Sequence, residues 1–275
     1  VLYVLREERG PKLRAFDWDG RPLGEAFALP PADPEACDPR GLALDGDRRL
    51  WIADRGARAL RAFSVFGREV QRFTHAARRP GAPGGLEQLS ALAAQGVEDE
   101  LLLAAGSGGE RRHALALFGA DGRWRASLRP LGDPEGRFSG LSDLAFCGRR
   151  LYACEERAGR IQVFRDLEFH YALRAGGLRP CALAPLADER VLVAQAGEPS
   201  ALCLLGPDGS LLRALAQHGE GEGQVCDPSA LALEEGEDER HTRVAVLDRG
   251  GDRVQIFALD GRCFGSFPDL ACATF

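Results

Sequence analysis

The stretch from Arg243 to Phe267, RVAVLDRGGDRVQIFALDGRCFGSF, constrains this chain most, because its pattern returns along the whole length. VAVLD is a valine-rich run of strand length, and Gly250-Gly251 permits a turn. RVQIF alternates, with Val254 and Ile256 on one face and Arg253, Gln255 and Phe257 on the other. Asp260-Gly261 marks a hairpin, since glycine tolerates the positive φ such turns need. CFGSF closes the set, and PSALALEE, from Pro228, supplies a strand upstream. Four short antiparallel strands in one sheet make a propeller blade. We call them a, b, c and d in chain order.

Residues 38–73 repeat the unit as DPRGLALDG, LWIAD, ALRAF and EVQRF, with Gly67 at the c–d turn. Residues 86–128 repeat it as LEQLSALAA, LLLAA, HALALF and WRASL. Residues 140–174 give GLSDLAFCG, LYACEE, RIQVF and HYALR, and residues 178–215 give LRPCALAPL, VLVAQ, SALCLL and LLRAL. The chain opens on b, c and d text, LYVLREERGPKLRAFDWDGRPLGEA, and closes on PDLACATF, which reads as an a strand. One blade is therefore expected from both ends, residues 268–275 plus 1–25. A spacing of roughly 46 residues gives about six units in this length. The predicted fold class is all-β: a six-bladed β-propeller of four-stranded antiparallel blades, a single domain over residues 1–275 closed by its terminal strands.

The longer connections, Ala26–Cys37, Thr74–Gly85, Pro130–Ser139 and Ala216–Gln224, are rich in Pro, Gly and charge and read as loops. Glu234–Arg243, EEGEDERHTR, reads as a solvated a–b tip. The chain begins at Val1, directly on a strand, and is read as a domain excised from a longer protein. No apolar run is long enough to span a membrane. None of the eight cysteines forms a CxxC pair, and most sit in strand-like apolar text. They read as buried free thiols, which places the protein in a reducing cytoplasm. A net charge of −6 argues against a surface that binds nucleic acid without regard to sequence.

The text Pro39-Arg40-Gly41-Leu42-Ala43-Leu44-Asp45, Leu50–Asp54, Arg160–Phe164 and Arg253–Gly261 resembles the NHL repeat, with its P-x-G-I-A-V-D, I-Y-V-A-D, R-I-Q-V-F and D-G signatures. The resemblance is strong for residues 38–73 and 227–267, fair for 140–174 and weak elsewhere. It implies a six-bladed propeller. It also implies one of three roles: a protein-interaction platform, an RNA-binding domain of tripartite-motif-like proteins, or a metal-dependent hydrolase or lyase with a site in the channel.

Loops entering strand a and loops joining b to c are expected at one rim, which is the partner face in the family. The candidate partner-binding residues there are Arg55, Arg78, Arg79, Arg111, Arg112, Arg157 and Arg249, because arginine offers a donor fork to carboxylate or phosphate. Interleaved acids make in-blade pairing the competing explanation, with Asp54–Arg58 and Asp248–Arg253 the expected pairs. Trp51, Phe63, Phe118, Phe164 and Phe257 fall inside strands and read as core, so base-stacking platforms for RNA are lacking.

His75, His113, His170, His218 and His241 fall at different repeat phases, which argues against a histidine metal centre. No Asn is present to match a lactonase-type calcium site, and neither GxSxG nor a P-loop occurs. The expectation is a monomeric, non-enzymatic scaffold or targeting module with a protein partner. It has no catalytic residue, metal or cofactor; RNA is the alternative partner.

Overall fold

The computed structural model describes residues 1–7, 11–24, 27–29, 38–74, 86, 89–97, 100–109, 112–130, 138–174, 177–195, 197–268 and 273–274. In chain order, the first sheet contains β1 (Leu2–Glu7), β2 (Pro11–Phe16) and β3 (Phe27–Ala28). The second contains β4 (Pro39–Leu44), β5 (Leu50–Asp54), β6 (Ala59–Phe63) and β7 (Glu69–Thr74). The third has β8 (Leu89–Val97), β9 (Glu100–Gly109), β10 (Arg112–Gly119) and β11 (Trp124–Leu128). The fourth has β12 (Leu141–Cys147), β13 (Arg150–Glu155), β14 (Arg160–Arg165) and β15 (Glu168–Arg174). The fifth has β16 (Pro180–Pro185), β17 (Val191–Gln195), β18 (Ala201–Leu205), β19 (Leu211–His218) and β20 (Gln224–Val225). The sixth has β21 (Pro228–Glu234), β22 (Arg243–Asp248), β23 (Arg253–Ala258) and β24 (Cys263–Pro268). The final strand, β25 (Ala273–Thr274), joins the first sheet, whose order is β25-β1-β2-β3. The fold class is an all-β, six-bladed propeller, with the antiparallel a-b-c-d order read from the repeats.

The first sheet is assembled from the two ends of the chain. β25 lies antiparallel to β1, pairing Leu5 with Thr274 and Arg6 with Ala273; residues 269–272 and 275 lie outside the described set. Strand d of this blade differs from its expected place in RPLGEA. There the chain makes only one bridge, Phe16 to Pro22, and the paired strand comes later, at Phe27–Ala28. Pro22 has no N–H to give a ladder, and Gly24, at φ 96°, takes the chain out of extended geometry. The Ala216–Gln224 connection is also more ordered than a loop. β19 runs on through His218, and β20 adds a parallel fifth strand.

The contacts divide the chain into one unit of residues 1–27 with 173–275 and another of residues 28–172. In the second blade the middle strands b and c are the most deeply buried, and both the inner strand a and the outer strand d are partly exposed. Every residue of β5 and β6 is buried, whereas β7 alternates between partial burial and exposure. Strands covered on both faces read as continuous apolar text, and outer strands alternate.

In the first unit, Leu192, Leu202 and Leu204 pack against Val244, Val246 and Phe257, while Leu2, Val4 and Phe16 meet Leu247, Val254 and Ile256. The two faces of RVQIF thus serve two different cores. In the second unit, Trp51 and Leu60 pack with Leu92, Leu103 and Phe118. Leu115 and Leu117 pack with Phe138, Leu151 and Phe164. Trp51 also gives its indole N–H to Asp45, 2.7 Å away, so its polar edge is satisfied inside the core.

In two places the c–d turn helps to seat one blade on its neighbour. Gly122, at φ 72°, lies against the Phe73 ring, and Gly20, at φ 80°, lies against Phe267. A Cβ at either position would fall inside the ring. The a–b tip of the sixth blade is not free in solvent, as its charge suggested. Glu239 is held by Arg190 and Arg213 of the fifth blade, and Glu235 accepts the Ala187 amide at 3.0 Å.

Candidate functional site

Strand b ends, in three blades, on a carboxylate that is wholly buried: Asp54, Glu155 and Asp248. A buried charge is tolerated only when it is paired and hydrogen-bonded. Each of these is satisfied from two directions. The loop entering strand a supplies backbone N–H groups. Asp38 donates to Asp54, Ser139 to Glu155, and Cys226 and Asp227 to Asp248, while Ala57 of the b–c tip gives Asp54 one more N–H. Strand c supplies a guanidinium: Arg61 to Asp54 at 3.0 Å, Arg160 to Glu155 at 2.5 Å, and Arg253 to Asp248 at 3.2 Å. The fifth blade makes the same clamp without charge, as Gln195 accepts the Arg179 amide and donates to the Pro199 carbonyl. The carboxylate or amide thus ties the incoming loop to strands b and c, fixing this end of the blade.

Asp248 pairs with Arg253 as expected, but Asp54 does not pair with Arg58. Its partner is Arg61, two residues into β6. Asp54 lies opposite Ala59 in the ladder, so Arg61 is its diagonal neighbour. Where the other blades read Arg-x-Gln, as in Arg160 and Gln162 or Arg253 and Gln255, this one reads Ala-x-Arg. The arginine has moved to the glutamine position and still reaches the acid. It also reaches Glu69 at 2.6 Å. Burial pushes the Glu69 carboxyl up, but hydrogen bonds from Arg72 and Arg61 outweigh it and hold it below the usual range.

Four of the seven candidate arginines fall within the described residues. Arg55 and Arg249 occupy the same place in their blades, directly after the buried acid. The Arg55 N–H meets the Asp38 carbonyl at 2.8 Å, and that of Arg249 meets Asp227 at 3.0 Å. Their side chains turn to the same two residues, Arg55 to the Asp38 carboxylate at 2.5 Å and Arg249 to Asp227 at 3.3 Å. Both remain substantially exposed. Arg157, one position further on in its blade, is exposed, lies over Gly140 and makes no ion pair among the described residues. Arg112 begins β10 opposite Gly109. Arg78, Arg79 and Arg111 lie outside the described residues. Arg55 and Arg249 are thus each braced by the loop of their own blade.

Among the described residues, no three His, Cys, Asp or Glu side chains are placed to hold a metal ion, and no helix is long and apolar enough to cross a membrane. Ser200 and His218 are 2.8 Å apart, but the Ser200 hydroxyl donates to the Val225 carbonyl at 2.6 Å. It therefore accepts from the imidazole, the reverse of what an activated nucleophile requires. Six cysteines are described, and all are free thiols; burial pushes the Cys203 thiol up.

Comparison with protein-family models and with curated proteins gave no match. Solved structures do resemble the chain. A structure of the nidogen/laminin complex is 16% identical, with a TM-score of 0.68, and the match covers 99% of this chain and 97% of that one. A protein of unknown function from Bacteroides caccae is 11% identical over 98% and 97%, with a TM-score of 0.62. Virginiamycin B lyase from Staphylococcus aureus is 11% identical over 94% and 77%, with a TM-score of 0.59. At these identities the likeness is one of fold, and the class of protein is the six-bladed β-propeller.

Proposed function

We propose that residues 1–275 act as one NHL-like propeller domain, a non-enzymatic interaction module that offers the b–c ends of its blades to a protein partner. The observation that carries this reading is the repeated clamp. A buried acid fixes the incoming loop by its amides, so the charged tips beyond it are held in place before any partner arrives. Preorganised side chains lose less entropy on binding. β-Propellers commonly serve as protein-interaction modules, and fold alone does not select among their roles. The free thiols fit a reducing compartment such as the cytoplasm.

The test uses two variants, Arg55→Glu with Arg157→Glu, and Arg249→Glu, so that each unit is probed separately. Affinity capture with quantitative mass spectrometry is compared with wild type and with Phe66→Ser, which alters a c–d turn. Loss of the same partners in one charge-reversed variant, with retention in Phe66→Ser and an unchanged melting temperature, supports the reading. Equal capture by all four proteins overturns it.

A further inference from the structure

β24 is the outer strand of its sheet, and among the described residues no strand pairs with its free edge. An uncovered edge is a template for another strand, and proteins commonly blunt such edges with charge. β7 carries Glu69 and Arg72, β11 carries Arg125, and β15 carries Glu168 and Arg174. β24 reads CFGSFP and carries none. In the same unit, the edge of β19 is covered by β20, which pairs through Gln217 with Gln224 and His218 with Val225. A blade of this chain thus accepts a fifth strand.

The surroundings of β24 specify the chemistry of such a strand. Phe264 is 48% exposed on the edge. The Arg262 guanidinium lies 4.6 Å from its ring centroid and that of Arg243 lies 6.0 Å away. Among the described residues Arg262, which is exposed, makes no ion pair, and Arg243 meets only Asp19, at 3.8 Å. One residue on from Phe264 the sign differs, because a Glu222 carboxylate oxygen stands 4.0 Å from where a Cβ on Gly265 would be. The strand carries no charge of its own; two guanidiniums flank Phe264 and one carboxylate stands beside Gly265.

We infer that β24 is a strand-addition site for an extended peptide segment with acidic residues at one end. Its backbone pairs along Cys263–Phe267, an apolar side chain covers Phe264, and a carboxylate lies between Arg243 and Arg262. Main-chain bonding supplies affinity in such pairing, and the flanking charge selects the sequence. Glu222 disfavours a second acid beside Gly265. The surface is distinct from the b–c ends, and the inference stands independently of their role.

The probe is a set of short synthetic peptides, each a Val/Thr run carrying a pair of glutamates, a pair of lysines or neither at one end. Binding is measured by fluorescence anisotropy to the full chain. Glutamate-ended peptides are expected to bind about tenfold more tightly than lysine-ended ones. They should also slow amide exchange across residues 262–268. Arg243→Glu with Arg262→Glu should invert the preference towards lysine, a gain that misfolding cannot mimic. The inference is overturned if no peptide binds, if the preference is the same in both proteins, or if exchange across residues 262–268 is unaltered. Concentration-dependent dimerisation that vanishes in the double variant would assign the edge to a second copy of the chain, and overturn it as well.

Discussion

Arg61 and Asp54 form an ion pair from which solvent is wholly excluded, 3.0 Å apart with both side chains at 0% exposure. Removing Arg61 leaves Asp54 buried with backbone amides but without the guanidinium that neutralises its charge. Arg61→Ala is therefore expected to cost about 3–5 kcal/mol in urea unfolding. The double change Ala59→Arg with Arg61→Gln recreates the arrangement of Arg253 and Gln255, and should recover all but about 1 kcal/mol of that loss. If the double variant is as unstable as Arg61→Ala, the two arrangements are not equivalent.

Gly122 and Gly148 both have positive φ, 72° and 55°, but only Gly122 faces a ring. Nothing lies within 4 Å of the position a Cβ on Gly148 would take. Gly148→Ala should cost about 1 kcal/mol, the conformational term alone. Gly122→Ala adds a collision with Phe73 and should cost about 1–3 kcal/mol more. Parallel thermal melts would separate the two terms.

Glu239 links two blades through Arg213 and Arg190, and the hydrogen bond from Arg213, followed by that from Arg190, holds its carboxyl below the usual range. Its folded pKa is lower than its unfolded one. The stability it adds is complete above the unfolded value and is lost as pH falls through the carboxylate range towards the folded value. The side chain is 36% exposed, so the contribution is under about 1 kcal/mol at neutral pH. Glu239→Gln should lower stability at neutral pH and flatten the acid limb of a stability-against-pH curve. An unchanged acid limb would show that the link contributes nothing.

Phe66 is 90% exposed at a turn where Asp121, Asp208 and Asp260 occupy the matching place in other blades. Those aspartates accept the N–H two residues on, from Arg123, Ser210 and Arg262 respectively. The Arg68 N–H already meets the Ser64 hydroxyl at 3.2 Å, so Phe66→Asp should exchange that long bond for one to a carboxylate and raise stability by about 0.5 kcal/mol. A melting temperature at or below that of wild type would contradict this.

The blades were legible because each repeats one hydrophobic phase. VAVLD and RVQIF became β22 and β23 with Val254 and Ile256 on one face, as read. The join of the chain's ends was legible from incomplete text at both. What the sequence concealed were choices made across strands. Asp54 looked to Arg58, four residues on, because the sequence shows neighbours in line and not diagonals in a ladder. The swap of Arg and Gln positions in ALRAF was the available signal. The charge of EEGEDERHTR suggested solvent, since nothing local reveals that Arg190 and Arg213 wait on another blade. Of the candidate arginines, the sequence located the loops of Arg55 and Arg249 but not that Asp38 and Asp227 would engage them.

The tips between strands b and c are short, and in three blades each ends on a residue with left-handed geometry: Arg58 at φ 49°, Gly159 at 60° and Asp252 at 48°. The residues upstream of the tips are locked by the buried acids. The tetrapeptides Arg55–Arg58, Glu156–Gly159 and Arg249–Asp252 therefore all start from a fixed point. New text at these positions must respect more than the fourth residue's backbone: a Cβ at Gly250 would meet Cys226 at 2.8 Å and one at Gly251 would meet Arg253 at 2.7 Å, so the sixth-blade tip admits far less change than its exposure suggests.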